Sequence, residues 1–156
     1  MKKEIYTEIA IAAPPAAVWR VLLDTPAYPD WNPFIVRLDG TLEPGTRPGV
    51  TIRLQADRCM NFKPVVIRRL ENRELRWIGR TGFAGLFDGE HSLAIEPDDA
   101  GSLFVHREIF SGILLPFLWS RLKHRVAAGF EAMNAALKDR VESLAGGGSM
   151  ETNKNS

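Results

Sequence analysis

Two of the three histidines in the chain, His91 and His106, and one carboxylate, Glu108, fall in neighbouring segments of alternating residues on either side of Asp98-Asp99-Ala100-Gly101. Read as a β-hairpin turned by that loop, the segments pair antiparallel, with Pro97 facing Ser102, Ile95 facing Phe104, Leu93 facing His106 and His91 facing Glu108. One face of the hairpin then carries His91, Leu93, Ile95, Phe104, His106, Glu108 and Phe110. The other carries Glu90, Ser92 and Glu96 beside Leu103, Val105, Arg107 and Ile109, with Arg107 opposite Ser92. The first face is the more apolar and is expected to wall a cavity. A slip of one residue in the loop would exchange the two.

Polar groups in an apolar wall need partners, and burial moves their proton affinities. Three uses are open to His91, His106 and Glu108. His91 and Glu108 can satisfy one another across the strands and do nothing more. They can fix the polar end of an otherwise apolar ligand, as a few placed polar groups do in small-molecule sites. They can also supply acid and base to a bound carbonyl compound, although no nucleophile or oxyanion donor is legible beside them. As a metal set, two histidines and one carboxylate are generic, so neither a metal nor a cofactor is expected.

These residues need a sheet and something to close it. Ile5 to Ile11 alternate as a first strand. Pro14 and Pro15 suit the first turn of a helix, where a missing N–H costs little, and Asp24-Thr25-Pro26 stops that helix after two or three turns. Ala27 to Pro33 allow a second short helix. Asn32, placed before a proline, suits a turn, and Trp31 and Phe34 flank it as candidate floor of the pocket or as core. From there to Phe110, six further strands are expected near 34–42, 49–57, 62–70, 74–81, 87–97 and 102–110, with Pro64 marking a bulge or an edge. Trp77 and Phe87 lie on two of them and are candidate lining residues.

Beyond Gly112 the period becomes helical: Leu115, Leu118, Leu122, Val126, Phe130, Met133, Leu137, Val141 and Leu144 recur at steps of three or four. Arg121, Lys123, Arg125, Glu131, Asp139 and Arg140 occupy the other side. Phe130 and Met133 are candidate lining residues, and equally ordinary core. Gly146 is expected to end the helix. The fold class is α+β, with a seven-stranded curved antiparallel sheet around one long C-terminal helix and two short helices between strands 1 and 2. One domain over 1–145 and a disordered tail over 146–156 complete the expectation.

Composition removes several functions. Twenty basic and nineteen acidic side chains leave a formal charge of +1, so no sequence-wide basic excess points to nucleic acid. The single cysteine, Cys59, allows no internal disulfide and fits a reducing compartment. The first residues hold no continuous apolar run, and no segment reaches the roughly 20 apolar residues of a membrane span. A cytoplasmic protein without stable membrane insertion is expected. Thr81-Gly82-Phe83-Ala84-Gly85-Leu86-Phe87 is glycine-rich but lacks the Lys-Ser/Thr ending of a phosphate loop. Its apolar tips, with Ile113-Leu114-Leu115-Pro116-Phe117, suit a gate at a pocket mouth, a homodimer contact or a membrane-surface contact.

Four segments carry a resemblance: Ala13-Pro14-Pro15-Ala16-Ala17-Val18-Trp19, Pro29-Asp30-Trp31-Asn32-Pro33-Phe34, Gly89-Glu90-His91 and His106-Arg107-Glu108-Ile109-Phe110-Ser111-Gly112. With the order of elements, they resemble the helix-grip (SRPBCC) superfamily of polyketide cyclases, START lipid-transfer domains and the birch-pollen allergen, and within it a bacterial polyketide cyclase/dehydrase-like branch. The resemblance spans about residues 4 to 144. It implies a deep cavity between sheet and last helix, and that architecture, without a recognisable catalytic set, makes a small lipophilic molecule the expected partner. It leaves the reaction open, because fold does not settle function. A cyclase or dehydratase using His91 or His106 as base and Glu108 as acid, and a protein-interaction module like the co-chaperone activators, stand as alternatives.

Overall fold

The alternation at the N-terminus forms a ten-residue strand, β1 (Lys2–Ile11), that pairs antiparallel along its length with the last strand of the chain, β8 (Gly101–Ser111). Between them come α1 (Pro15–Leu23), a 3₁₀ turn at Thr25–Ala27, α2 (Tyr28–Trp31), β2 (Ile35–Asp39), β3 (Gly49–Gln55), β4 (Arg58–Phe62), β5 (Val65–Leu70), β6 (Glu74–Thr81) and β7 (Phe87–Asp98). A long helix, α3 (Leu115–Thr152), follows β8. This computed structural model describes the backbone of residues 1–152 and the side chains of residues 1–146.

The architecture is α+β of the helix-grip kind. Five strands form one sheet in the order β1-β8-β7-β6-β5, and three form a second in the order β2-β3-β4. The expected single sheet of seven strands is therefore corrected, among the described residues, to eight strands in two sheets. The difference arises between residues 56 and 64. Ala56 and Asp57 make a tight turn that folds β4 back on β3. Lys63 and Pro64 then leave strand geometry, since proline has no N–H to give a ladder. The stretch expected as one strand at 62–70 is divided there, and its two parts end on the edges of different sheets.

Pro15 opens α1 at a position where the missing N–H is not needed. Val18, Trp19, Val21 and Leu22 form its buried face, and the indole N–H of Trp19 donates to Glu71 at 2.8 Å. On α3 the stripe Val126, Phe130, Met133, Leu137 and Val141 is buried, each large side chain contributing about 1.5–3 kcal/mol against exposure. Gly129 interrupts that helix for a reason: a Cβ there would overlap the ring of Phe34. The helix continues past Gly146, where the sequence reading ends it, to Thr152. A glycine inside a helix costs only about 1 kcal/mol and does not forbid it. The expected tail beyond Thr152 lies outside the described residues. Among the described residues no helix is long and apolar enough to cross a membrane.

Candidate functional site

The register expected for the 98–101 hairpin is the one observed: Pro97 pairs with Ser102, Ile95 with Phe104, Leu93 with His106 and His91 with Glu108. The rows extend across the sheet. Trp77 on β6 faces His91, which faces Glu108 on β8. One step further along, Leu93 faces His106, which faces Thr7 on β1. Four adjacent strands thus deliver an indole, two imidazoles, a carboxylate and a hydroxyl to one surface.

The side chains join into a chain of contacts. Glu108 Oε2 lies 3.5 Å from His91 Nδ1, and His91 Nε2 lies 2.9 Å from His106 Nε2. His106 Nδ1 is 2.9 Å from Oδ1 of Asn134 on α3. The Asn134 amide donates to Thr7 Oγ1 at 2.8 Å, and the Thr7 hydroxyl donates to the carbonyl of His106 at 3.0 Å. Aromatic faces enclose the imidazoles: Trp77 stacks on His91 with centroids 4.9 Å apart, and Phe130 stacks on His106 at 3.8 Å. Burial, reinforced by the adjacent His91, holds the His106 imidazole well below its ordinary range despite the hydrogen bond that its ring N–H gives to Asn134 Oδ1. His106 is neutral in consequence.

A cavity of about 490 Å³ opens between this surface, the smaller sheet and α3. His91 and Glu108 lie in its wall with Trp77, Phe87, Phe110 and Phe34. The three-stranded sheet contributes Ile52, Leu54 and Phe62, and α3 contributes Leu122 and Val126. Its rim is polar, with Asn61, Lys63, Arg80 and Thr81 all exposed. Phe34 owes its place to Asn32, whose Oδ1 accepts from the backbone N–H groups of Phe34 and Ile35 at 3.0 and 2.9 Å. This is the turn expected at that asparagine.

Not every candidate reaches the cavity. His106, Phe104, Phe130 and Met133 are fully buried one layer behind the wall, so His106 can act on a ligand only through His91. Trp31 lies elsewhere, lining a small hollow between α1 and α3 with Val21, Asp24 and Arg140. Its helix, α2, turns the ring edge-on to Tyr28, 5.3 Å between centroids. The glycine-rich loop and the start of α3 are tied together by hydrogen bonds from Ile113 N to Gly85 O and Leu114 N to Leu86 O, at 3.0 and 3.1 Å. Their apolar tips, Phe83, Ile113 and Phe117, point to solvent and do not line the cavity. Sequence reasoning missed Asn134 and Thr7. The signal for Asn134 was present: it stands four residues after Phe130, a lone polar side chain on the apolar stripe.

A family model described as polyketide cyclase/dehydrase and lipid transport matches residues 2–142. The chain belongs to that family. No curated protein matches the sequence. Among solved structures, the fold of this polyketide cyclase/dehydrase and lipid transport family member is similar to a START superfamily protein from Mycobacterium smegmatis, with 22% identity and a TM-score of 0.67 over 92% of this chain and 98% of that one. It is also similar to a protein from Mesorhizobium loti, with 17% identity and a TM-score of 0.70 over 90% and 98% of the two chains. The di-domain ARO/CYC StfQ from the steffimycin biosynthetic pathway gives a TM-score of 0.74 at 14% identity, covering 93% of this chain and 52% of that one. At these identities the likeness is one of fold.

Proposed function

We propose that the protein binds a small lipophilic molecule in the cavity between the sheets and α3, with an oxygen-bearing end directed at Glu108 and His91. One observation carries this reading: a cavity of about 490 Å³ whose wall is mainly aromatic and aliphatic yet holds a carboxyl and an imidazole in contact with each other. That combination, an apolar pocket with a few convergent polar groups, is the usual make-up of a small-molecule site. Membership of a family described by cyclases, dehydrases and lipid transport supports it. Acid and base turnover of the same ligand is a second reading, favoured by the contact of His91 with Glu108 inside the cavity. In that reading Glu108 and His91 touch the ligand and His106 only positions His91.

The test is native purification followed by solvent extraction and mass spectrometry, for the wild type and for the His91→Ala, Glu108→Ala double variant. A stoichiometric lipophilic compound with an oxygen function, lost from the variant while circular dichroism is unchanged, is the expected result. Retention of the compound by the variant would remove both residues from the site. A wild type that yields no compound, and whose tryptophan fluorescence does not respond to two-ring aromatic probes, would sink the pocket reading.

A further inference from the structure

Apart from Met1, the most exposed large apolar side chains among the described residues are Phe83 at 64%, Ile113 at 66% and Phe117 at 77%. All three stand at one end of the molecule. Two segments put them there: the loop between β6 and β7, and the turn that leads from β8 into α3. The hydrogen bonds from Ile113 N to Gly85 O and from Leu114 N to Leu86 O join these segments backbone to backbone. Gly112 permits the join: at φ 119° it lies in the left-handed region, and a Cβ there would overlap the Leu86 carbonyl. The tips are thus held outward by hydrogen-bonded main chain. A single exposed apolar side chain is ordinary, whereas a cluster marks an interaction surface.

The charges around the tips share one sign. The end row of the larger sheet runs Lys2, Ser111, Asp88, Arg80 across β1, β8, β7 and β6. Lys2 and Arg80 are exposed. The Asp88 carboxylate is taken up by the loop itself, its Oδ2 accepting from the Gly85 N–H at 3.0 Å, and its side chain is only 15% exposed. Neither residues 75–87 nor residues 109–130 contain an aspartate or a glutamate. In the second of these stretches Arg121 is exposed one helical turn after Phe117, and Lys123 and Arg125 follow it. The exposed acids of the hairpin turns, Glu71, Asp98 and Asp99, lie at the opposite end of the same sheet. A formal charge of only +1 is therefore spread unevenly, with the apolar tips at a basic end.

We infer that this end of the molecule docks on the surface of an anionic phospholipid bilayer, with Phe83, Ile113 and Phe117 entering the headgroup region and Lys2, Arg80 and Arg121 meeting lipid phosphates. The charges select the occupant. A second copy meeting the same face about a two-fold axis would set these cations against one another, and an uncharged surface would leave them without counter-charge. Apolar side chains beside basic ones suit a peripheral, reversible hold on anionic lipid. Arg80 and Thr81 also stand on the rim of the cavity, so docking brings the cavity mouth to the lipid. The docking itself does not depend on what the cavity holds.

Co-sedimentation with vesicles tests it, one set of phosphatidylcholine alone and one of phosphatidylcholine and phosphatidylglycerol in equal parts. The wild type should bind the anionic set roughly tenfold more tightly or better, since each basic residue at the surface is worth roughly fivefold, and raised salt should weaken that binding. The double variant Phe83→Ser, Phe117→Ser, with circular dichroism unchanged, should bind the anionic vesicles roughly tenfold more weakly. Ile67→Ser, at an exposed apolar position on β5, should bind as the wild type does. A wild type that binds neither set, or both equally, overturns the proposal; so does undiminished binding by the double variant, or an equal loss in Ile67→Ser. Sedimentation velocity decides the rival occupant. The wild type should be monomeric, and a dimer that the double variant converts to monomer would give this face to a second copy of the chain.

Discussion

The two faces of β7 and β8 use the same kinds of side chain for opposite purposes. On the outer face Arg76 pairs with Glu74 and with Glu90, at 3.2 Å for the latter, and Ser92 donates to Glu74 at 3.1 Å. Arg107 reaches Glu4 across β1 at 3.2 Å. Apart from the buried Ser92 these groups are open to solvent in part, Glu74 and Arg76 each have more than one partner, and water can take the place of a lost one at the exposed pairs. On the inner face Glu108, His91, His106, Asn134 and Thr7 form a single file in which each group has one available partner on each side. Alternation along a strand places both sets. Access to water makes the outer set redundant and burial makes the inner one exacting, because a partner lost at His106 or Asn134 leaves a polar group shut away from water.

The largest break in that contrast comes from cutting the inner file. Asn134→Leu keeps the size of the side chain but leaves His106 Nδ1–H, fully buried, without an acceptor and the half-buried Thr7 Oγ1 without a donor. The expected loss is about 2–3 kcal/mol of unfolding free energy, read as a lowered urea midpoint with an unchanged m-value. A loss below about 0.5 kcal/mol would show that the inner contacts are as replaceable as the outer ones.

Acid tests the same file without a mutation. Unfolded, His106 takes up a proton near pH 6.5; folded, burial and His91 hold its affinity well below that range. As pH falls through 6.5 the unfolded state therefore binds a proton that the folded His106 refuses, and stability declines by about 1.4 kcal/mol per pH unit until the folded group titrates. Above pH 6.5 this contribution is constant. Unfolding free energies at pH 6.5, 5.5 and 4.5 should show the slope, and His106→Gln should flatten it by one proton's worth. The same slope in both proteins would assign the acid sensitivity to other groups.

How much of this was legible in the sequence follows from the range of each interaction. The hairpin register counted from Asp98-Asp99-Ala100-Gly101 is the one observed, but the count depended on where the loop turns, since a slip of one residue would have exchanged the two faces. The long helix showed in its apolar stripe. What escaped depended on contacts distant in sequence. Asn134 meets Thr7 across 127 residues, and no local pattern announces such a pairing. Trp31, which follows the helical elbow with Phe34, read equally as pocket floor or as core, and the turn at Asn32 sends the two rings to different cavities. Pro64 was visible as an irregularity, but that it divides two sheets depends on the turn at Ala56 and Asp57.

Gly89→Ala sharpens the contrast by moving one atom group. The position does not need a glycine backbone, so alanine gains strand stability of about 0.5–1 kcal/mol. Against this, the new Cβ must displace Glu108 Oε1, the far end of a side chain able to swing away. Stability is expected to stay within about 1 kcal/mol of the wild type. The ring nitrogen shifts of His91 should nevertheless change, because its carboxyl partner has moved. An unchanged His91 spectrum in a folded variant would mean that Glu108 does not depend on that seat.

The smallest effect belongs to the outer face. Arg107→Ala removes the pair with Glu4, whose side chains are 38% and 45% exposed. An ion pair this open to water contributes about 0–1 kcal/mol, and ordinary salt screens it over roughly 8–10 Å. The expected loss is below about 0.5 kcal/mol at low salt and disappears at 1 M. Arg107 occupies the same strand as His106 and Glu108 and is one residue from each, so sequence position alone would predict similar sensitivity. A loss of 2 kcal/mol that persists in high salt would mean that the outer face, too, is organised around single partners, and the division between the faces would have to be drawn on something other than access to water.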